Sequence, residues 1–98
     1  MNAETKNALL VFAEELGEVQ KEVFKAIRFG LDDTNPVTNI SNTKAIIDEL
    51  NDVAGCLEKL KELGVLPPLT SLIAPSKVKK KIAKIDKYFE YTQQLGID

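Results

Sequence analysis

Two segments of this chain carry apolar residues at helical spacing, and each is shadowed by a matching pair of acids. Leu9, Phe12, Leu16, Val19, Val23 and Ile27 make one stripe; Ile46, Leu50, Val53, Leu57 and Leu60 make the other. Such spacing puts the apolar positions on one face of an α-helix. Glu15 and Glu18 each stand one residue ahead of a position in the first stripe, as Glu49 and Asp52 do in the second. Side chains three residues apart share a helical face at about 60°, so each pair can grip one cation from neighbouring turns. A single Glu-x-x-Glu on an amphipathic helix is more often a solvated face. The equal offset of both pairs changes that balance, because two helices packed as an antiparallel hairpin would bring the pairs together at the edge of one core. Four gathered carboxylates repel one another and lose hydration unless a hard cation neutralises them. Oxygen-only ligands point to Mg²⁺ or Mn²⁺, and that combination suggests phosphate chemistry.

The remaining pattern is also helical, and no strand-like alternation persists anywhere. A first helix is predicted from about Glu4 to Phe29, with Gly30 as its stop and Asp32-Asp33-Thr34-Asn35-Pro36 as turn chemistry beyond it. The second begins near Ser41 or Asn42, both good N-caps, and ends at Gly64 before Leu66-Pro67-Pro68. Leu69–Ala74 is expected to form a short helical turn. A third main helix follows Pro75-Ser76, with apolar positions at Val78, Ile82, Ile85 and Phe89, and ends near Gly96. The expected fold is therefore all-α, a single domain over residues 1–98 with a four-helix-bundle-like core. A chain of 98 residues buries only a modest core, so a dimer or tetramer is expected to complete it. Gly17, inside the first helix, is read as a point of close approach by a neighbouring helix. The connection over Gly30–Ile40 is longer than bundle helices usually need, which suits either a substrate lid or a plain surface loop.

Composition removes several chemistries. There is no histidine, so Ser-His and Cys-His nucleophiles and histidine-bearing zinc sites are excluded, leaving metal-activated water as the natural attacking group. The single cysteine, Cys56, one turn beyond Asp52, cannot form an internal disulfide and is read as a small buried residue. No apolar run has the length of a membrane span, and the N-terminus lacks the order of a signal peptide, so a cytoplasmic location is the default expectation. Residues 1–63 hold 12 acids against 7 bases, and residues 64–98 hold 3 acids against 6 lysines. That balance argues against a nucleic-acid binder, although the lysine helix leaves an antitoxin-like or nucleic-acid-associated adaptor as a weaker alternative.

The segment Glu14-Glu15-Leu16-Gly17-Glu18, followed after 30 residues by Glu49-Leu50-Asn51-Asp52, resembles the EExxE…ExxD signature of the MazG-like all-α nucleoside triphosphate pyrophosphohydrolases. Lys25-Ala26-Ile27-Arg28-Phe29-Gly30 is similar to the end of the first helix in small members of that family, and the matching pieces cover about residues 9–62. The gap between motifs is wider than usual, which fits an extended connection. The resemblance implies Mg²⁺-dependent hydrolysis between the α and β phosphates of a nucleoside triphosphate, giving a monophosphate and pyrophosphate. By motif position it implies Glu15, Glu18, Glu49 and Asp52 as metal ligands, with Glu14 as an outer ligand or base.

Lys25 lies two turns after Glu18 and nearly on its face, and Arg28 follows one turn later; both are candidates for the phosphate tail. Cations at a helix C-terminus are also favoured by the helix dipole alone, and the resemblance tips the choice toward phosphate. Glu22 is expected to pair with Lys25. Lys84 and Lys87 of the third helix are candidates to reach a phosphate, within one subunit or across a subunit boundary, although a solvated lysine face is the commoner reason for such a stripe. A non-catalytic helical dimerisation module is the competing functional class.

Overall fold

The computed structural model describes residues 1–96, and its long elements are all helices, as the spacing predicts. Helix α1 spans Ala3–Phe29, α2 Asn42–Glu62, α3 Leu69–Leu72 and α4 Pro75–Gln94. Among the described residues there is no strand, only one antiparallel bridge pair, Thr34 with Ser41. The start of α1 is capped by Asn2, whose Oδ1 accepts from the Thr5 amide at 2.8 Å. At its other end Gly30 takes φ 100°, a backbone angle that side-chain-bearing residues avoid, and the chain leaves the helix there. Ser41 caps α2, accepting from the Lys44 amide at 3.1 Å.

The chain separates into two compact units, Met1–Pro67 and Pro68 onward. In the first, α1 and α2 pack as an antiparallel hairpin. Glu4 near the start of α1 meets Lys59 near the end of α2 at 3.4 Å, while Asn42 at the start of α2 donates to the Gly30 carbonyl at 2.8 Å. The packed seam follows alternating steps of three and four on both helices. It runs through Thr5, Ala8, Phe12, Glu15, Val19, Glu22 and Ala26 on α1, and through Asn42, Ile46, Glu49, Val53, Cys56 and Leu60 on α2 to its C-cap Leu63, all buried or half-buried. This is the side-chain register of two helices crossing at a shallow angle.

The seam corrects one expectation. The acids were placed beside the apolar stripes, at a core edge; Glu15, Glu22 and Glu49 instead occupy positions within the packed row. Parts of the stripes turn outward: Leu16, Val23 and Ile27 are 48%, 39% and 74% exposed, and Leu50 is 50% exposed. Leu16 follows Glu15 by one residue, about 100° around the helix, so α2 cannot cover both fully.

The connection between α1 and α2 is braced by hydrogen bonds. Asn35 Oδ1 accepts from the amides of Val37 and Thr38, the Asn35 amide donates to the Ile40 carbonyl, and the Asn42 and Thr43 amides donate to the carbonyls of Asp33 and Leu31. In the second unit, Pro75 opens α4 and the apolar positions Val78, Ile82, Ile85 and Phe89 are all exposed. No helix among the described residues is long and apolar enough to cross a membrane.

Gly17 faces away from the seam, two residues from Glu15 and Val19, and an added Cβ there would meet nothing within 4 Å. The close approach expected of it is therefore not made by α2. Gly17→Ala should stabilise the hairpin by about 0.5–1 kcal/mol, read as a higher midpoint in chemical denaturation. A loss of stability would mean that another surface is seated against this glycine.

Candidate metal centre

Because Glu15 and Glu49 lie in the seam of antiparallel helices, their carboxylates are driven toward each other across it. Asp52, one turn after Glu49, joins them from the solvent side. One carboxylate oxygen from each of the three lies within 4.8 Å of the others, close enough for a single cation to be shared. Two are half-buried and Asp52 is exposed, so the cluster is open on one flank.

Glu49 is the strained member. Its Oε2 is excluded from solvent and has no hydrogen-bond partner. Loss of hydration pushes its carboxyl above the ordinary carboxylate range, and contact with Glu15, then the charges of Asp52 and Glu18, push it further. An orphaned, crowded carboxylate oxygen is what a divalent cation satisfies, and an all-oxygen donor set suits Mg²⁺ or Mn²⁺. The residues therefore fit such an ion. Cys56 lies beside the cluster, its thiol pushed up by burial and by the nearby charges of Glu15 and Asp52, which keeps it protonated and a poor ligand.

The other expected site residues are more dispersed. Glu18 is near enough to act on Glu49 but lies outside the three-oxygen group, with Lys21 at 3.5 Å. Glu14 is exposed, one residue and about 100° around α1 from Glu15. Lys25 pairs with Glu22 at 3.7 Å, as the spacing predicts. Arg28 is exposed near the end of α1 and borders a shallow hollow with Phe24, Lys25 and Phe29. Lys84 and Lys87 belong to α4 in the second unit, bordering a hollow with Lys77, Lys80 and Tyr88.

Two openings flank the acids. A groove of about 490 Å³ is bordered by Asn7, Val11 and Glu15 of α1 and by Asn51, Asp52 and Gly55 of α2. A smaller hollow of about 230 Å³ is bordered by Glu22, Lys25 and Glu49, with Asn35 and Thr38 of the connecting loop along its rim. The loop thus reaches the neighbourhood of the acids. Three participants escaped the sequence reading. Glu22 was treated only as an ion-pair partner, yet it is buried, and its position seven residues after Glu15 was the available signal. Asn51 stood only as a spacer in the second motif and Asn7 was not singled out, yet both border the wider groove. No family model, curated protein or solved structure matches the chain.

A carboxyl whose pKa is higher in the folded protein holds its proton more tightly there than in the unfolded chain. It therefore destabilises the fold as pH rises out of the ordinary carboxylate range. Without divalent metal, the melting temperature of Glu49→Gln should overtake that of the unaltered protein as pH climbs from about 4 to neutrality. Adding Mg²⁺ at neutral pH should stabilise the unaltered protein and leave Glu49→Gln unmoved. A constant difference across pH, with no response to Mg²⁺ in either protein, would contradict this account of the cluster.

Proposed function

We propose that this chain is a MazG-like nucleoside triphosphate pyrophosphohydrolase, cleaving (d)NTP between the α and β phosphates to (d)NMP and pyrophosphate with Mg²⁺, or Mn²⁺, as cofactor. The observation that carries the reading is the convergence of Glu15, Glu49 and Asp52 from two helices, with one oxygen of Glu49 excluded from solvent and lacking a hydrogen-bond partner. When bound, the ion would supply a more acidic water and charge neutralisation on the phosphate oxygens.

The chain's own groups then divide the remaining work. Glu15, Glu49 and Asp52 hold the cofactor. Glu18, one turn from Glu15 and outside the three-oxygen group, is the carboxylate best suited to orient the attacking water and take its proton, or to join as a fourth ligand. Glu14, turned to another side of α1, serves at most as an outer partner. Lys25 and Arg28 offer positive charge beyond the acids for the phosphate tail. Lys25 must loosen its contact with Glu22 to do so. Lys84 and Lys87 remain candidates for the same role from α4. The outward-facing Leu16, Val23, Ile27 and Leu50 support a homo-oligomer, dimer or tetramer, and a cytoplasmic setting completes the reading. Those same exposed residues also suit a non-catalytic dimerisation module, which the following assay separates.

With Mg²⁺ and a panel of ribo- and deoxyribonucleoside triphosphates, the purified chain should release pyrophosphate and sediment as a dimer or tetramer. Asp52→Asn and Glu15→Gln should each abolish release while the helical circular dichroism persists. Full activity in both variants would remove the assigned site, and no turnover on any triphosphate would favour the dimerisation module.

A further inference from the structure

The charges of α4 run against what a helix by itself favours. It holds six lysines, Lys77, Lys79, Lys80, Lys81, Lys84 and Lys87, against two acids, Asp86 and Glu90. Four of the lysines crowd the helix N-terminus, which is itself positive, and both acids lie in the C-terminal half. The hairpin helices show the favourable order: Glu4 opens α1 and Arg28 closes it, while Lys59 and Lys61 close α2. Lysines three and four residues apart, such as Lys77 with Lys81 and Lys80 with Lys84, add mutual repulsion. Ion pairing divides the helices in the same way. Lys21, Lys25, Lys44, Lys59 and Lys61, five of the six lysines in α1 and α2, each meet a carboxylate. Among the described residues no lysine of α4 does.

Five of these lysines share one side of the helix. At about 100° per residue, Lys77, Lys80, Lys81, Lys84 and Lys87 fall together with Tyr88 and Tyr91 among them and no acid between. Both tyrosines are exposed, and the five lysines and Tyr88 border a shallow hollow of about 550 Å³. The apolar stripe of Val78, Ile82, Ile85 and Phe89 lies about 130° away round the helix, so the two are separate surfaces. A row of unpaired, mutually repelling cations weakens α4 and gains nothing within the chain. A ligand bearing a row of negative charges reverses that balance, and exposed rings set among the cations suit a ligand with flat groups along it.

We infer that this side of α4 binds single-stranded nucleic acid, its lysines tracking the phosphates while Tyr88 and Tyr91 stack on unpaired bases. A duplex keeps its base faces stacked on one another and would engage the lysines alone. An anionic membrane fits less well, because a helix lying in the interface presents a broad apolar face. The stripe here is only about 60° wide, and Asp86 borders it, where anionic headgroups would repel it. The chain's acidic balance, which counts against nucleic acid for the protein as a whole, is inverted on this one surface. Binding there requires no catalysis, and it gives Lys84 and Lys87 a role shared with their neighbours on α4.

The test is fluorescence anisotropy of the full chain in EDTA, so that no cation at the acid cluster recruits phosphate. The probes are labelled oligothymidylate and oligouridylate of about twelve nucleotides, and the oligothymidylate paired with its complement. Cosedimentation with vesicles of phosphatidylcholine and phosphatidylserine supplies the membrane arm. The unaltered chain should bind one or both single strands more tightly than the duplex, with affinity falling steeply as salt rises. Lys77→Gln, Lys80→Gln and Lys81→Gln combined should weaken binding by about tenfold or more and flatten the log–log salt slope by about 2. These changes ease the conflict with the helix dipole, so the helical circular dichroism should hold. Tyr88→Ala should weaken binding about fivefold or more at an unchanged salt slope. No binding of either single strand at low salt, or undiminished affinity in either variant, would overturn the inference. So would a duplex bound as tightly as the single strand, or vesicles bound and oligonucleotides ignored.

Discussion

The unit formed by α1 and α2 turns on one unfavourable contact, the meeting of Glu15 and Glu49 inside the helix seam. Positions that step by three and four along two packed helices are those where apolar side chains belong, and this seam gives three of them to glutamate. Glu22 has Lys25 as a partner, but Glu49 presents a solvent-excluded oxygen with none. Leaving such a group unsatisfied in a small hairpin weakens it, because Leu60 is the only side chain fully buried among the described residues. A cation shared with Asp52, as proposed, would convert the same contact from a penalty into a cross-link between helices.

Other features take their meaning from that contact. Asp52 can assist because it follows Glu49 by one turn on the exposed flank, and Cys56, a turn further on, adds a neutral thiol to the border that Glu15 and Asp52 share. The braced loop fixes the start of α2 against the end of α1, through Asn42 and Thr43 on the carbonyls of Gly30 and Leu31. That pinning sets the register that brings residue 15 opposite residue 49. A slip of one position on either helix would swing a carboxylate about 100° away from its neighbours.

Helix boundaries were legible because their signals are local. Gly30, Ser41 and Pro75 each end or begin a helix by their own backbone or side-chain chemistry, and the short turn expected over Leu69–Ala74 is found over Leu69–Leu72. The acids as a group were legible from their equal offsets. Their depth was not. Periodicity identifies a broad apolar face on each helix, but a partner helix covers only a narrow strip of it. Which strip is covered depends on the relative rotation of the two helices, a property of the pair. The strip used here takes in Glu15, Glu22 and Glu49 and leaves Leu16, Val23 and Leu50 outside. The same limit hid the groove, since Asn7 and Asn51 come to border one opening only once that rotation is fixed.

The central claim is that Glu15, Glu49 and Asp52 hold one divalent cation between them. Anomalous diffraction from crystals grown with Mn²⁺ tests it most directly, because manganese reports its own position. The account predicts a strong peak bonded to a carboxylate oxygen of each of the three residues. Crystals at saturating Mn²⁺ in which the three carboxylates lie together with no peak among them, or in which manganese binds elsewhere alone, would contradict it.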